Sequence, residues 1–157
     1  MLWGPRSRAI TPIKMTFNAV WTELLHRSGP GYGVGLRGLA RVLARLGHPQ
    51  KRFSVLQVAG TNGKGSVCYL AAQALQQAGD KTGLFISPHL ISPCERIRIN
   101  GRLISRPALA RAVQTVLKAE EKPLNFFEIL TAAALVYFAQ ERVDFAVLET
   151  GLGGRKD

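Results

Sequence analysis

Apolar residues follow two rhythms along this chain. Over 17–28, "FNAVWTELLHRS", and 36–47, "LRGLARVLARLG", they recur every three or four positions, the spacing of an amphipathic helix. Gly47 and Pro49 close the second helix, and "GPGYGVG" between the two reads as a glycine-rich loop. "FSVLQVA" (53–59), "TGLFIS" (82–87) and "VDFAVLE" (143–149) are short β-rich apolar runs, read as buried strands. A helix is predicted from about Ser66 to Ala78, broken at Gly79-Asp80. "RIRINGRLIS" (96–105) reads as a hairpin turning at Asn100-Gly101. Ser105 can cap a helix over 107–120 with Pro107 in its first turn, and a further helix covers 126–142. Strands alternating with helices predict an α/β fold. Its three apolar strands would run parallel with their C-terminal ends on one edge, and helices would cover both faces of the sheet.

Composition narrows this picture. Apolar residues make up 46% of the 157 positions, enough for a core in one domain or part of a larger one. The longest apolar stretch, "LTAAALVYFAQ", is too short to span a membrane. Cys68 and Cys94 show no metal-ligand spacing and suit a reduced, cytoplasmic protein. The net charge is +11 and unevenly spread: residues 1–58 hold nine Lys/Arg against one acid, Glu23. Such a surface favours anionic partners. Arg37, Arg41 and Arg45 form a stripe whose plain reading is a solvated helix face. No aromatic residues interleave with the charges to stack on bases, so nucleic acid is not the expected partner. Residues 1–14 carry three basic residues, no acid and no long apolar core. They read as a disordered basic tail and not as a secretory signal.

The candidate chemistry begins at Gly60-Thr61-Asn62-Gly63-Lys64-Gly65-Ser66. Between a strand and a helix start, backbone N–H groups converge and the helix dipole favours negative charge. Glycines let the backbone approach phosphates, Lys64 can reach their oxygens and Ser66 can face Mg²⁺, although the spacing departs from G-x-x-x-x-G-K-[ST]. "DFAVLET" ends a strand in an acid, which places Glu149 on the same sheet edge as Lys64. These two are the candidate catalytic residues. The plain alternatives are a structural turn and an ordinary strand-end acid.

Taken in order, "VAGTNGKGS", "SPHL" followed by "ERIRING", "FFE" and "ETGLGGRKD" resemble the folylpolyglutamate synthase/dihydrofolate synthase family of the Mur ligase superfamily, over roughly residues 30–157. The resemblance implies a P-loop-type parallel sheet flanked by helices. Residues 15–157 would be the N-terminal part of a Mur-ligase-like ATPase domain, truncated before the remaining strands and the C-terminal domain. It implies a cytoplasmic ligase, monomeric when complete, that uses ATP and Mg²⁺ to add L-glutamate to dihydropteroate or folate through an acyl phosphate. Gly60 to Ser66 would bind ATP. Ser66, Ser87 and Glu149 would hold Mg²⁺. Asn125, Phe126, Phe127, Glu128 and Asp157 would meet the pterin-bearing substrate. Thr150 and Lys156 stand where aliphatic residues are common. For Phe126 and Phe127 the plain alternative is ordinary core, for His89 a surface or satisfied histidine, and for Arg96, Arg98 and Arg102 exposed hairpin charges. The chain alone is expected to be inactive. The alternative is a non-catalytic nucleotide-binding module needing a partner chain.

Overall fold

The computed structural model describes residues 16–28 and 36–151. The basic tail, the glycine-rich loop 29–35 and Asp157 lie outside them. Helices α1 (Phe17–His26) and α2 (Leu36–Arg45) precede strand β1 (Ser54–Val58) and helix α3 (Lys64–Gln77). Then come β2 (Thr82–Phe85), β3 (Ile97–Ile99), β4 (Arg102–Leu103), α4 (Arg106–Ala119), α5 (Phe126–Gln140) and β5 (Phe145–Glu149). Local chemistry accounts for the boundaries. The Ser105 hydroxyl accepts from Ala108 N at the start of α4. Asn100 and Gly101 take the positive φ values of a tight hairpin turn, 46° and 76°.

The five strands form one sheet in the order β1-β5-β2-β3-β4. As expected, β1, β5 and β2 are parallel, with Ser54 opposite Phe145 and Thr82 opposite Phe145 in the two pairings. The sheet is nevertheless mixed, because β3 runs antiparallel to β2 and β4 antiparallel to β3. A parallel return from β2 would need a crossover of a dozen or more residues, usually helical. The chain instead reverses over a short connection ending in a 3₁₀ turn at Pro93–Arg96.

Alternation along the strands separates two cores. Leu84 and Val147 pack under α3 with Cys68 and Ala72. Phe85 and Ala146 join the larger cluster formed with α1, α2, α4 and α5. Helix α5 is apolar on all sides and has nine buried residues, as befits a helix enclosed between the sheet and its neighbours. Strand β1 departs from expectation. It lies on the sheet edge, with Val55 46% and Leu56 44% exposed. An apolar run reports a demand for burial, and the described residues do not cover this strand. In the Arg37, Arg41, Arg45 stripe, Arg45 pairs with Glu121 at 2.6 Å and donates to the Ala119 carbonyl.

Arg27 fastens α1 to the start of α5. Its guanidinium contacts Glu23 at 2.6 Å and Glu120 at 2.7 Å, and its carbonyl accepts from Phe126 N. Gly83 sets the distance between β2 and α5, since a Cβ there would lie 2.8 Å from the Phe138 ring. Gly83→Ala is therefore expected to cost about 1–3 kcal/mol through overpacking. Urea denaturation checks this, and unchanged stability would mean that Phe138 moves aside freely.

Candidate functional site

The phosphate loop leaves β1 and turns at Gly60 (φ 152°) and Gly63 (φ 74°), both in backbone regions that side chains disfavour. Helix α3 then begins at Lys64, two residues earlier than predicted. No side chain caps this end, and the first intrahelical bond there is Val67 N to Gly63 O. The N–H groups of Lys64, Gly65 and Ser66 are thus the orphan donors of a helix N-terminus. Lys64 Nζ folds back to the Thr61 carbonyl at 3.3 Å. Ser66 is exposed in the same turn.

Glu149 ends β5 and is only 7% exposed. Its Oε2 accepts from Ser87 N at 2.8 Å, at the end of β2, while its Oε1 accepts no hydrogen bond among the described residues. A Cβ built on Gly65 would sit 3.9 Å from both carboxylate oxygens, so the carboxylate lies against the first turn of α3. The buried Cys68 thiol, pushed up to about 11 by burial and then by Glu149, and pulled down by Lys64, registers the same neighbourhood. Parallel strands thus bring the loop 60–66, Ser87 and Glu149 together on one edge.

The segment 125–128 divides into two roles. Asn125 Oδ1 accepts from Glu128 N at 2.8 Å and Glu128 Oε2 accepts from Asn125 N at 3.0 Å, a reciprocal capping box for α5. The half-buried Phe126 and Phe127 point to different places. Phe127 tilts against Phe85 and fills the space a side chain at Gly151 would need. Phe126 meets Trp21 edge-on at 6.2 Å, lies near His89 at 6.5 Å, and carries the Arg96 guanidinium 5.3 Å from its ring centroid.

Arg96 corrects an expectation, being 7% exposed instead of an exposed hairpin charge. Its Nε–H donates to His89 Nδ1 at 2.8 Å, so His89 is a satisfied histidine. Burial, then Arg96, lowers the His89 pKa, with Glu95 acting weakly the other way. Arg98 is half-buried over Tyr69, while Arg102 is exposed as expected. The signal missed in the sequence is the capping box Ser92–Glu95, which fixes the turn that buries Arg96. The Glu95 carboxylate accepts from Leu90, Ile91 and Ser92 N–H groups at 2.9, 3.0 and 2.7 Å, and these bonds hold its pKa below the usual range. The Thr150 hydroxyl, buried beside Glu149 in sequence, has no partner among the described residues. The described residues hold no cluster of three His, Cys, Asp or Glu suited to a metal, and no helix long and apolar enough to cross a membrane.

No protein-family model matches the chain. Similarity to individual proteins is extensive. The dihydrofolate synthase/folylpolyglutamate synthase of Bacillus subtilis is 44% identical over 135 residues, covering 81% of this chain and 31% of that protein. Escherichia coli FolC in complex with DHPP and ADP superposes with a TM-score of 0.85 at 35% identity, over 91% of this chain and 35% of that one. The bifunctional folylpolyglutamate synthase/dihydrofolate synthase of Yersinia pestis, complexed with AMPPNP and Mn ion, does so with a TM-score of 0.81 at 36% identity, over 91% and 35%. The chain spans about a third of the length of these three relatives.

The capping box gives Asn125 a role that can be measured without substrate. Asn125→Ala is expected to cost about 1 kcal/mol and Asn125→Asp little, because aspartate caps as well as asparagine. Thermal melting of the two variants checks this, and equal losses would rule out capping as the main role of the side chain.

Proposed function

The chain belongs to the folylpolyglutamate synthase/dihydrofolate synthase family, and we propose that it holds the phosphate- and metal-binding side of an ATP-dependent ligase joining L-glutamate to dihydropteroate or a folate. The observation that carries this reading is the Glu149 carboxylate, buried against the first turn of α3 and tied to Ser87. A buried carboxylate beside a helix N-terminus and a lysine suits a site that gathers a cation and phosphates.

A carboxylate resists amines because its charge repels them and oxide is a poor leaving group. In the proposed reaction, a substrate carboxylate oxygen attacks the γ-phosphorus of ATP. The bond from that phosphorus to the β,γ-bridging oxygen breaks, and ADP leaves with the electron pair. The glutamate amine then attacks the acyl carbon of the acyl phosphate, phosphate departs, and the amine proton ends on phosphate. Phosphoryl transfer depends on positioning and charge neutralisation. The open N–H groups of Lys64, Gly65 and Ser66 would bind phosphate oxygens, and Lys64 would leave Thr61 for the β/γ oxygens. Mg²⁺ would be held by Glu149 Oε1 with Ser66 and Ser87. That donor set fits a hard cation that keeps several waters and binds through one or two carboxylates plus phosphates. When bound, Mg²⁺ neutralises the charge that develops on the transferring group. Phe126 and Asp157 would face the flat pterin-bearing substrate, whereas Phe127, packed on Phe85 and against Gly151, would act as core in place of the expected substrate contact. Asn125 and Glu128, which pair with each other in the capping box, would contribute through the backbone they hold.

A second reading, a nucleotide-binding module completed by further polypeptide, is favoured by the open edge of β1 and the exposed Val67 and Leu70 on α3. Both readings expect no turnover by the 157 residues alone. Purified chain mixed with ATP, Mg²⁺, glutamate and dihydropteroate tests that expectation. Glutamate-dependent ADP release that is lost in Lys64→Ala would establish that these residues suffice.

Two variants test the site itself. Lys64→Ala is expected to weaken ATP binding at least about tenfold, the worth of a charge-assisted contact, with an unchanged melting temperature. Unchanged affinity by calorimetry would remove Lys64 from the site. In the full-length protein, Glu149→Gln should lower the rate by about 10²-fold or more and regain part of it at high Mg²⁺. A purely structural role would instead lower the melting temperature, with no response to Mg²⁺.

A further inference from the structure

Arg96 is a buried cation without an anion. Every ion pair among the described residues uses Arg27, Arg45 or Lys81, and none uses Arg96. The residue is 7% exposed. One of its five N–H donors, on Nε, is spent on a neutral imidazole. The terminal nitrogens have no hydrogen-bond partner among the described residues, although they rest over the Phe126 ring. Burial lowers its pKa, and Glu149 opposes that, so the guanidinium lies in the field of the site's carboxylate without touching it. Burying a charge without an ionic or fully hydrogen-bonded partner is costly. The terminal nitrogens are not among the fully buried polar atoms without a partner, so they keep access to solvent and leave a paired set of donors on the site edge for a ligand.

We propose that the terminal N–H groups of Arg96 bind the acceptor carboxylate of the substrate, an aryl carboxylate whose ring lies along Phe126. The proposal rests on the ligase reading and deepens it. Guanidinium is planar and pairs with a carboxylate through two parallel N–H···O bonds, which fixes the orientation of the carboxylate as well as its place. Phe126, Trp21 and His89 supply the flat walls an aryl group needs next to that charge. Glu149, the ATP phosphates and the acceptor carboxylate are all anions, and a fixed cation beside the acceptor carboxylate adds to the offset that Lys64 and Mg²⁺ would supply at the phosphates. His89 is a positioning residue. By accepting from Nε it holds that edge of the guanidinium and leaves the two terminal nitrogens for the ligand.

The test compares pteroate with its carboxamide, which has the same shape and no charge, by calorimetry in the full-length protein. The wild type is expected to prefer pteroate at least about tenfold, the worth of one charged hydrogen-bonded pair. Arg96→Gln should lose that preference while keeping its affinity for the carboxamide and for Mg-ATP. Arg96→Lys should keep part of it, because a point charge replaces the fork. Equal wild-type affinity for the two ligands overturns the proposal without any variant, so misfolding of Arg96→Gln cannot rescue it. Equal loss of both ligands in Arg96→Lys, or loss of Mg-ATP affinity in place of pteroate affinity, also overturns it. A failure of the ligase reading shows differently, as a wild-type protein that binds neither pteroate nor its carboxamide.

Discussion

Glu149 sets the terms for the rest of the site. A carboxylate shielded from water loses hydration that must be replaced, and charge in a low-dielectric place is felt by everything near it. The Ser87 N–H replaces part of that hydration at 2.8 Å. The first turn of α3, the Lys64 ammonium and the buried Arg96 supply positive potential around it. These groups arrive on α3, the end of β2 and the 3₁₀ turn before β3, yet all lie at one sheet edge. The parallel pairing of β1, β5 and β2 is therefore electrostatic organisation as much as backbone hydrogen bonding.

The side of the site away from the phosphate loop is organised by a smaller device. Glu95 gathers three backbone N–H groups and stiffens the connection between β2 and β3. That connection carries Ser87 at one end and Arg96 at the other. On the opposite wall, Arg27 binds the end of α1 to the approach of α5 and so keeps Trp21 against Phe126. A cation and a carboxylate remote from the chemistry thus set the spacing of the aromatic walls.

Much of this was legible in the sequence because its signals are local. Ser105 and the Asn100-Gly101 turn act on residues one to three positions away, and each does what its residue type suggests, whereas the capping role of Asn125 was not read. The common direction of the three apolar strands followed from the helices between them. Burial was read less well because it depends on the partner. The apolar run of β1 looks like a central strand but lies on an edge, and the charged string around Arg96 looks like a surface hairpin but turns one guanidinium inward. The antiparallel β3 was hidden for the same reason, since the sharp return is set by a capping box whose partners are backbone groups. The strand-end acid pointed to Glu149 and the family resemblance to Ser87, and physical pairing across the sheet brings them into contact.

The register of β1 has a temporal meaning as well. Its partner among the described residues is β5, with Val58 opposite Glu149 despite their wide separation in sequence. The strand that carries the phosphate loop is synthesised before β5 and lacks this partner until the residues between the two have followed. Local helices can form at once, but this pairing must wait for a long loop to close, and non-local contacts of that kind slow folding. A nascent chain lacking β5 would hold the loop residues without the scaffold that aims them. The aim of the phosphate loop thus depends on a pairing made far along the sequence from it.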